Sequence, residues 1–201
     1  MPARVTGLWT VILSAGGSSR LGRPKQLLRR RGKTLLRSTA AIAQAVTPGR
    51  IVVVVGAYPF RMRAALRNCG TGIHTATNAR WREGMAGSLR QGLGALPSNA
   101  TAALILLTDQ PLVTASDLER LIAAWARQPQ RAAASRYAGH LGIPAILPRR
   151  FWRDAKRASG DVGAREILRR PGARITTVLM PTASVDIDTE QDLDALRHPA
   201  N

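Results

Sequence analysis

The sequence predicts an α/β fold of three layers, with helices on both faces of a mostly parallel sheet. Three observations carry that expectation. Apolar strand-like runs and amphipathic helical stretches alternate from one end of the chain to the other, the pattern of βα units. Residues 51–55 are β-branched throughout and residues 102–107 are apolar throughout, and strands without a polar face are buried on both sides. The first apolar run ends at Leu13 and leads straight into a glycine-rich turn, where open parallel sheets bind their ligands.

Val11, Ile12 and Leu13 form the first strand. A helix over 34–46 is expected from the spacing of Leu35, Leu36, Ala40 and Ala43, and Pro48-Gly49 stops it. After the strand 51–55 comes a helix over 59–68, a short strand over 72–76 and a helix over 84–96. The strand 102–107 precedes a helix that Ser116 caps and that runs to Ala126. Strands over 131–137 and 143–147, a helix over 162–168, a strand over 175–179 and a final helix from Thr189 to Leu196 complete the order. No repeat, low-complexity linker or composition break divides the 201 residues, so one domain is expected.

Composition narrows the function classes. With 45% hydrophobic residues the chain can bury a real core. Cys69 is the single cysteine, which excludes an intrachain disulfide and a cysteine-rich metal site. No apolar run approaches a membrane span, and residues 1–7 do not form a secretory leader, so a cytoplasmic protein with no membrane partner is expected. The net charge of +18 invites a nucleic-acid reading. Against it, the arginines are scattered, only Lys25, Lys33 and Lys156 are lysines, and 4% aromatic content offers few stacking platforms. No specific nucleic-acid partner is expected.

Four segments are candidates for chemistry. Ala15, Gly16, Gly17, Ser18, Ser19, Arg20 and Lys25 make a phosphate-binding loop. The glycines allow close approach and positive φ, the serines add donors, Arg20 adds a planar fork and Lys25 a point charge. The loop is neither G-x-x-x-x-G-K-[ST] nor a clean G-x-G-x-x-G. Asp109 leaves a buried strand in Thr108-Asp109-Gln110-Pro111; it reads equally as an Asx-turn or as a ligand for Mg²⁺, and the upstream loop favours the metal. In Val185-Asp186-Ile187-Asp188-Thr189, Asp186 and Asp188 share one side of an extended segment. Asp186 reads as a metal ligand, and Asp188 equally as a ligand or a helix cap. Asn78 and Ser88 flank a helix start, which can attract anions, but on residues alone a loop and an ordinary amphipathic helix with Trp81 as a core anchor is the favoured reading.

These segments resemble the nucleotidyltransferases of the molybdenum cofactor type. Residues 13–25 match L-x-A-G-x-S-x-R-x-G-x-x-K, with Ser14 where that family usually has Ala. Residues 78–89 match N-x-x-W-x-x-G-M-x-x-S-L, and 186–193 resemble D-I-D-T-P-E-D. Ala15-Gly16 and Asp109-Gln110-Pro111 are similar to the cytidylyltransferase branch, as are G-x-x-G-x-P at Gly142 and Pro144 and S-G-D-x-G-A-R at Gly160, Asp161 and Arg165. The resemblance implies a Rossmann-like nucleotide-diphospho-sugar transferase fold of the GT-A-like type. It implies CMP transfer from CTP to the phosphate of molybdopterin, with Arg20, Lys25 and Asp109 catalytic. Mg²⁺ would sit on Asp109, Asp186 and Asp188. The pterin would lie against Gly142, Pro144, Gly160, Asp161 and Arg165, and a client molybdoenzyme would receive the product. Guanylyl transfer to the same cofactor, transfer to a sugar or polyol phosphate, and a non-catalytic cofactor-binding chaperone are the alternatives.

Overall fold

The computed structural model describes residues 5–157, 160, 168, 174–189 and 191–192. In chain order the elements are β1 (Leu8–Ser14), β2 (Arg29–Arg30), β3 (Lys33–Thr34), α1 (Leu35–Val46), β4 (Ile51–Val55), α2 (Pro59–Leu66) and β5 (Ile73–Thr77). After these come α3 (Met85–Gly94), β6 (Ala102–Leu107), α4 (Ala115–Ala126), β7 (Ala132–Tyr137), β8 (His140–Pro148), α5 (Trp152–Arg157) and β9 (Ile175–Leu179).

Seven strands form one sheet in the order β5-β4-β1-β6-β8-β7-β9. Every neighbouring pair is parallel except β6–β8 and β7–β8, so β8 alone runs against the rest. The reason is local: Ala138 and Gly139 turn β7 back as a tight hairpin, both at positive φ (47° and 78°). β2 and β3 are a second small hairpin, unanticipated because two residues per strand leave no period to read.

The strands justify the three layers by alternation. Ile12, Val53 and Leu104 face a core built with Leu36 and Ala40 of α1, Met62 of α2 and Leu118 and Leu121 of α4. Val11, Val54 and Ile105 face the other core, with Leu89 and Leu93 of α3 and Trp152 of α5. Thr34 caps α1, its Oγ1 accepting from Arg37 N at 3.2 Å. For α4 the cap is Thr114 rather than Ser116. Thr114 Oγ1 accepts from Asp117 N at 3.2 Å and Asp117 Oδ2 accepts from Thr114 N at 3.0 Å, a reciprocal pair that starts the helix at Ala115 and leaves Ser116 inside its first turn. Burial acts to raise the Asp117 pKa, but hydrogen bonds from Thr114, Arg120 and Thr182 outweigh it and hold the carboxyl below its usual range. The helix expected over 162–168 and the body of the one expected from Thr189 to Leu196 lie outside the described residues.

Candidate active site

Because β1, β4 and β6 are parallel and in register, their carboxyl ends open side by side, with Ser14 beside Val55 and Leu13 beside Leu107. The loops leaving these strands therefore meet at one edge of the sheet. The loop after β1 brings Ala15 to Lys25, and the turn after β6 brings Thr108 and Asp109. Between them lies a cavity of about 210 Å³, walled also by Gln26, Trp81, Met85 and Ser88. Whole-ligand cavities run to roughly 300–1,000 Å³. This one has room for part of such a ligand.

Lys25 is the centre of the site. Its Nζ donates to Asp109 Oδ2 at 2.6 Å and to Asp188 Oδ1 at 2.9 Å, joining residues 84 and 163 positions away. Burial would lower the Lys25 pKa; the two carboxylates outweigh it and raise the value above that of a free lysine. The ammonium therefore stays charged across the physiological range. Arg20 lies at the same mouth, largely exposed, 3.8 Å from Asp188 Oδ2. Asp109 keeps one oxygen in reserve: among the described residues nothing donates to its buried Oδ1. An unsatisfied buried carboxylate oxygen is costly without a cationic or donor ligand.

The expected loop residues are present but divide their tasks differently. Neither Gly16 nor Gly17 has positive φ; the left-handed residues are Ser18 (54°) and Gly22 (62°). Gly17 is small because the Trp81 ring lies on it, 2.6 Å from where a Cβ would stand. Gly16 is open, with only Gln26 Nε2 as near as 4.0 Å. Ser18 Oγ accepts from Lys25 N at 3.0 Å, closing the loop, while Ser19 is exposed. Ala15 is buried against the cavity.

Asn78 and Ser88 are joined rather than independent. Asn78 Nδ2 donates to Ser88 Oγ at 3.1 Å, and its Oδ1 accepts from Arg80 N at 3.1 Å. The amide fixes the turn carrying Trp81 and the start of α3, and Ser88 is the member of the pair on the cavity wall. Asp186 and Asp188 are exposed on either side of the fully buried Ile187, whose N donates to Asp109 O at 2.9 Å. They lie in an extended segment outside the sheet. The capping question at Asp188 is resolved by Asp192, which accepts from Asp188 N (2.9 Å) and Thr189 N (2.7 Å) and donates from its own N to Thr189 Oγ1. Asp188's carboxylate is thus turned to Lys25. Among the described residues no three His, Cys, Asp or Glu side chains gather as a metal cage, so any cation here would lean on Asp109, Asp188 and its ligand's own oxygens.

Gly142 and Pro144 sit in the buried body of β8. The place of a Cβ on Gly142 is taken by the Tyr137 hydroxyl, and Ser135 Oγ donates to Gly142 O at 3.1 Å. Gln110 also faces this side: its Nε2 donates to Ile143 O and Ala183 O, both at 2.9 Å. Gly160 accepts from Ala86 N at 3.0 Å, tying its segment to the first turn of α3. Asp161 and Arg165 lie outside the described residues.

Two contributors were not expected as site residues. Gln26 is almost fully buried, its Nε2 donating to Gly16 O at 2.8 Å and its Oε1 without a donor among the described residues. Trp81 reads as a core anchor in sequence, yet its ring both covers Gly17 and walls the cavity.

A model of the MobA-like NTP transferase domain matches residues 10–175. Nicotine blue oxidoreductase of Paenarthrobacter nicotinovorans is 30% identical over 203 residues, covering 94% of each chain. Bifunctional protein GlmU of Xylella fastidiosa is 37% identical over 116 residues, which are 57% of this chain and 25% of GlmU. The chain thus spans about a quarter of that relative. Rv0371c from Mycobacterium tuberculosis superposes with a TM-score of 0.82 at 28% identity, covering 96% of this chain and 98% of that one. Its complex with manganese superposes at 0.78 with 26% identity, covering 97% and 100%. The sheet order, the loop after β1 and these matches agree on the Rossmann-like nucleotide-diphospho-sugar transferase fold. The family match runs from within β1 to the first residue of β9 and so takes in all of the sheet but its last strand and the start of its first: the chain belongs to the MobA-like NTP transferase family and is a nucleotidyltransferase.

Proposed function

We propose that this nucleotidyltransferase moves CMP from CTP to the phosphate of a molybdopterin-type acceptor, releasing pyrophosphate, in the cytoplasm. The observation that carries the placement is Lys25 between Asp109 and Asp188, beside an Asp109 oxygen without a donor, at the mouth of the loop 15–20. The loop's Gly16, Ser19 and Arg20 face an incoming triphosphate, with the base end toward the cavity walled by Ala15, Trp81 and Ser88. The acceptor's phosphate oxygen forms a bond to the α-phosphorus, the bond from that phosphorus to the bridging oxygen breaks, and both electrons leave with pyrophosphate. A phosphate monoester is ionised at neutral pH, so no general base is required. Lys25 and Arg20 hold the charge that shifts onto the leaving group.

Asp109 and Asp188, with Asp186 on the same extended segment, would hold a divalent cation, Mg²⁺ in this reading, which would supply Lewis-acid charge to the phosphate oxygens. The unsatisfied Asp109 Oδ1 fits such an ion, and a manganese complex of Rv0371c favours divalent-metal dependence. The choice of CTP rests on Ala15-Gly16 and Asp109-Gln110-Pro111, and a client molybdoenzyme is the proposed receiver.

The test supplies each of the four NTPs with Mg²⁺ and purified molybdopterin and measures pyrophosphate and the nucleotide attached. CMP on the pterin is expected. A product carrying mainly GMP, or turnover only with sugar phosphates, would overturn the substrate assignment and leave the nucleotidyltransferase standing. A second reading has its own observation: the relative aligned over 94% of its length carries an oxidoreductase's name. Redox turnover without any pyrophosphate would favour it.

A further inference from the structure

A second cavity, of about 230 Å³, lies on the other side of the sheet, in the layer of α1, α2 and α4. It shares no lining residue with the first. The hairpin of β2 and β3 contributes Arg30, Arg31 and Lys33, and none of the lining residues is acidic. The opposite wall is apolar, from Leu35 and Ile42 of α1 and Val113 before α4. Gln110 closes the floor.

Two polar atoms here are buried and unsatisfied among the described residues: the donor Arg30 Nε and the acceptor Gln110 Oε1. Gln110 is 4% exposed, and the two carbonyls that its Nε2 serves fix which end of the amide is oxygen. Arg30 is held in place by donating from Nη1 to Pro111 O at 3.1 Å. Burial and the neighbouring Arg31 both act to lower the Arg30 pKa, so an anion between them relieves a real repulsion. Three cations around one small cavity match a dianion better than a single carboxylate. The space beyond the charges is apolar and larger than an inorganic ion needs.

We propose that this cavity binds a small organic phosphate monoester, its phosphate on Arg30, Arg31 and Lys33, its apolar body against Leu35, Ile42 and Val113, and a donor group on Gln110 Oε1. This cavity shares no lining residue with the nucleotide pocket, and the binding proposed for it does not rest on the transfer reaction assigned there.

Phenyl phosphate is the probe, titrated by calorimetry into the full chain without nucleotide or metal, with inorganic phosphate as the comparison. The expected result is saturable binding, tighter than that of inorganic phosphate. An Arg31→Gln, Lys33→Ala double variant should weaken it roughly tenfold or more, the scale of losing charge-assisted hydrogen bonds. Ser38→Trp, which fills the space from α1, should weaken it similarly without removing a charge. Lys25→Ala should leave it within about twofold, because Lys25 does not line this cavity. Melting curves without probe confirm that each variant is folded. Binding that survives both cavity variants, that is lost in Lys25→Ala, or that is absent from the wild-type chain overturns the proposal.

Discussion

The carboxyl edge of β1, β4 and β6 and the β7–β8 hairpin carry similar motif residues and use them in opposite ways. At the first, Gly16 stands open, and Gln26 Oε1 and Asp109 Oδ1 are buried with no donor among the described residues. At the second, Gly142 is filled by Tyr137 and Ser135 donates to Gly142 O. A glycine in a motif does not by itself mark a ligand site. Unused hydrogen-bonding capacity beside open space does, because burying such groups without a partner costs free energy that only a ligand recovers.

The sharpest way to break this contrast is at the charges. Lys25→Ala and Asp109→Ala should each lower nucleotidyl transfer by about 10²–10³, the scale for removing one electrostatic donor from a reacting centre. Melting temperatures should move far less than activity. Near-wild-type turnover in either variant would remove that residue from the site. Chelation of divalent metal should likewise abolish pyrophosphate release, and activity intact in EDTA would end the metal assignment.

Glycine substitutions test the same contrast by stability. Gly142→Ala drives a Cβ into the Tyr137 hydroxyl and should cost about 1–3 kcal/mol by overpacking, with the folded fraction keeping its turnover. Gly16→Ala has room and should fold normally while losing activity. The reverse pattern in denaturant titrations and rate assays would invert the roles given to the two regions.

Much of this division was legible in sequence, and the failures are instructive. The strand runs at 51–55 and 102–107 announced a parallel core, and the loop 13–25 announced the edge. What sequence missed was set by tertiary neighbours. Positive φ fell on Ser18, while the smallness of Gly17 is accounted for by the Trp81 ring, which arrives from a distant turn. Ser116 reads as a cap until Asp117 is seen pairing with Thr114. Gln26 carries no motif signal because its significance is a single bond to Gly16 O.

Smaller effects remain. Asp117→Ala should cost about 1 kcal/mol at neutral pH, the usual worth of a helix cap. Its folded pKa is depressed, so its stabilisation is present above the unfolded carboxylate pKa and is lost as pH falls through the folded one. Denaturation midpoints of variant and wild type should therefore converge in acid; a gap that persists or widens there would contradict the sign. Lys25 has the opposite sense: its raised pKa stabilises the fold below the unfolded lysine value and that contribution is lost only as pH rises through the folded one. The smallest effect is Arg20→Ala on stability, within about 0.5 kcal/mol because the pair with Asp188 is exposed, although its transfer activity should fall.

The bond from Lys25 to Asp188 spans 163 positions of chain. A ribosome delivers Lys25 163 positions before this carboxylate. The sheet order can be laid down from β1 through β6 while the reactive edge still lacks one of its two acids. Closing so long a loop carries an entropic cost that grows only slowly with its length, so the pairing is postponed rather than forbidden. The reactive edge of this chain is therefore complete only once residues 187–188 have packed against the loop after β1 and the turn after β6.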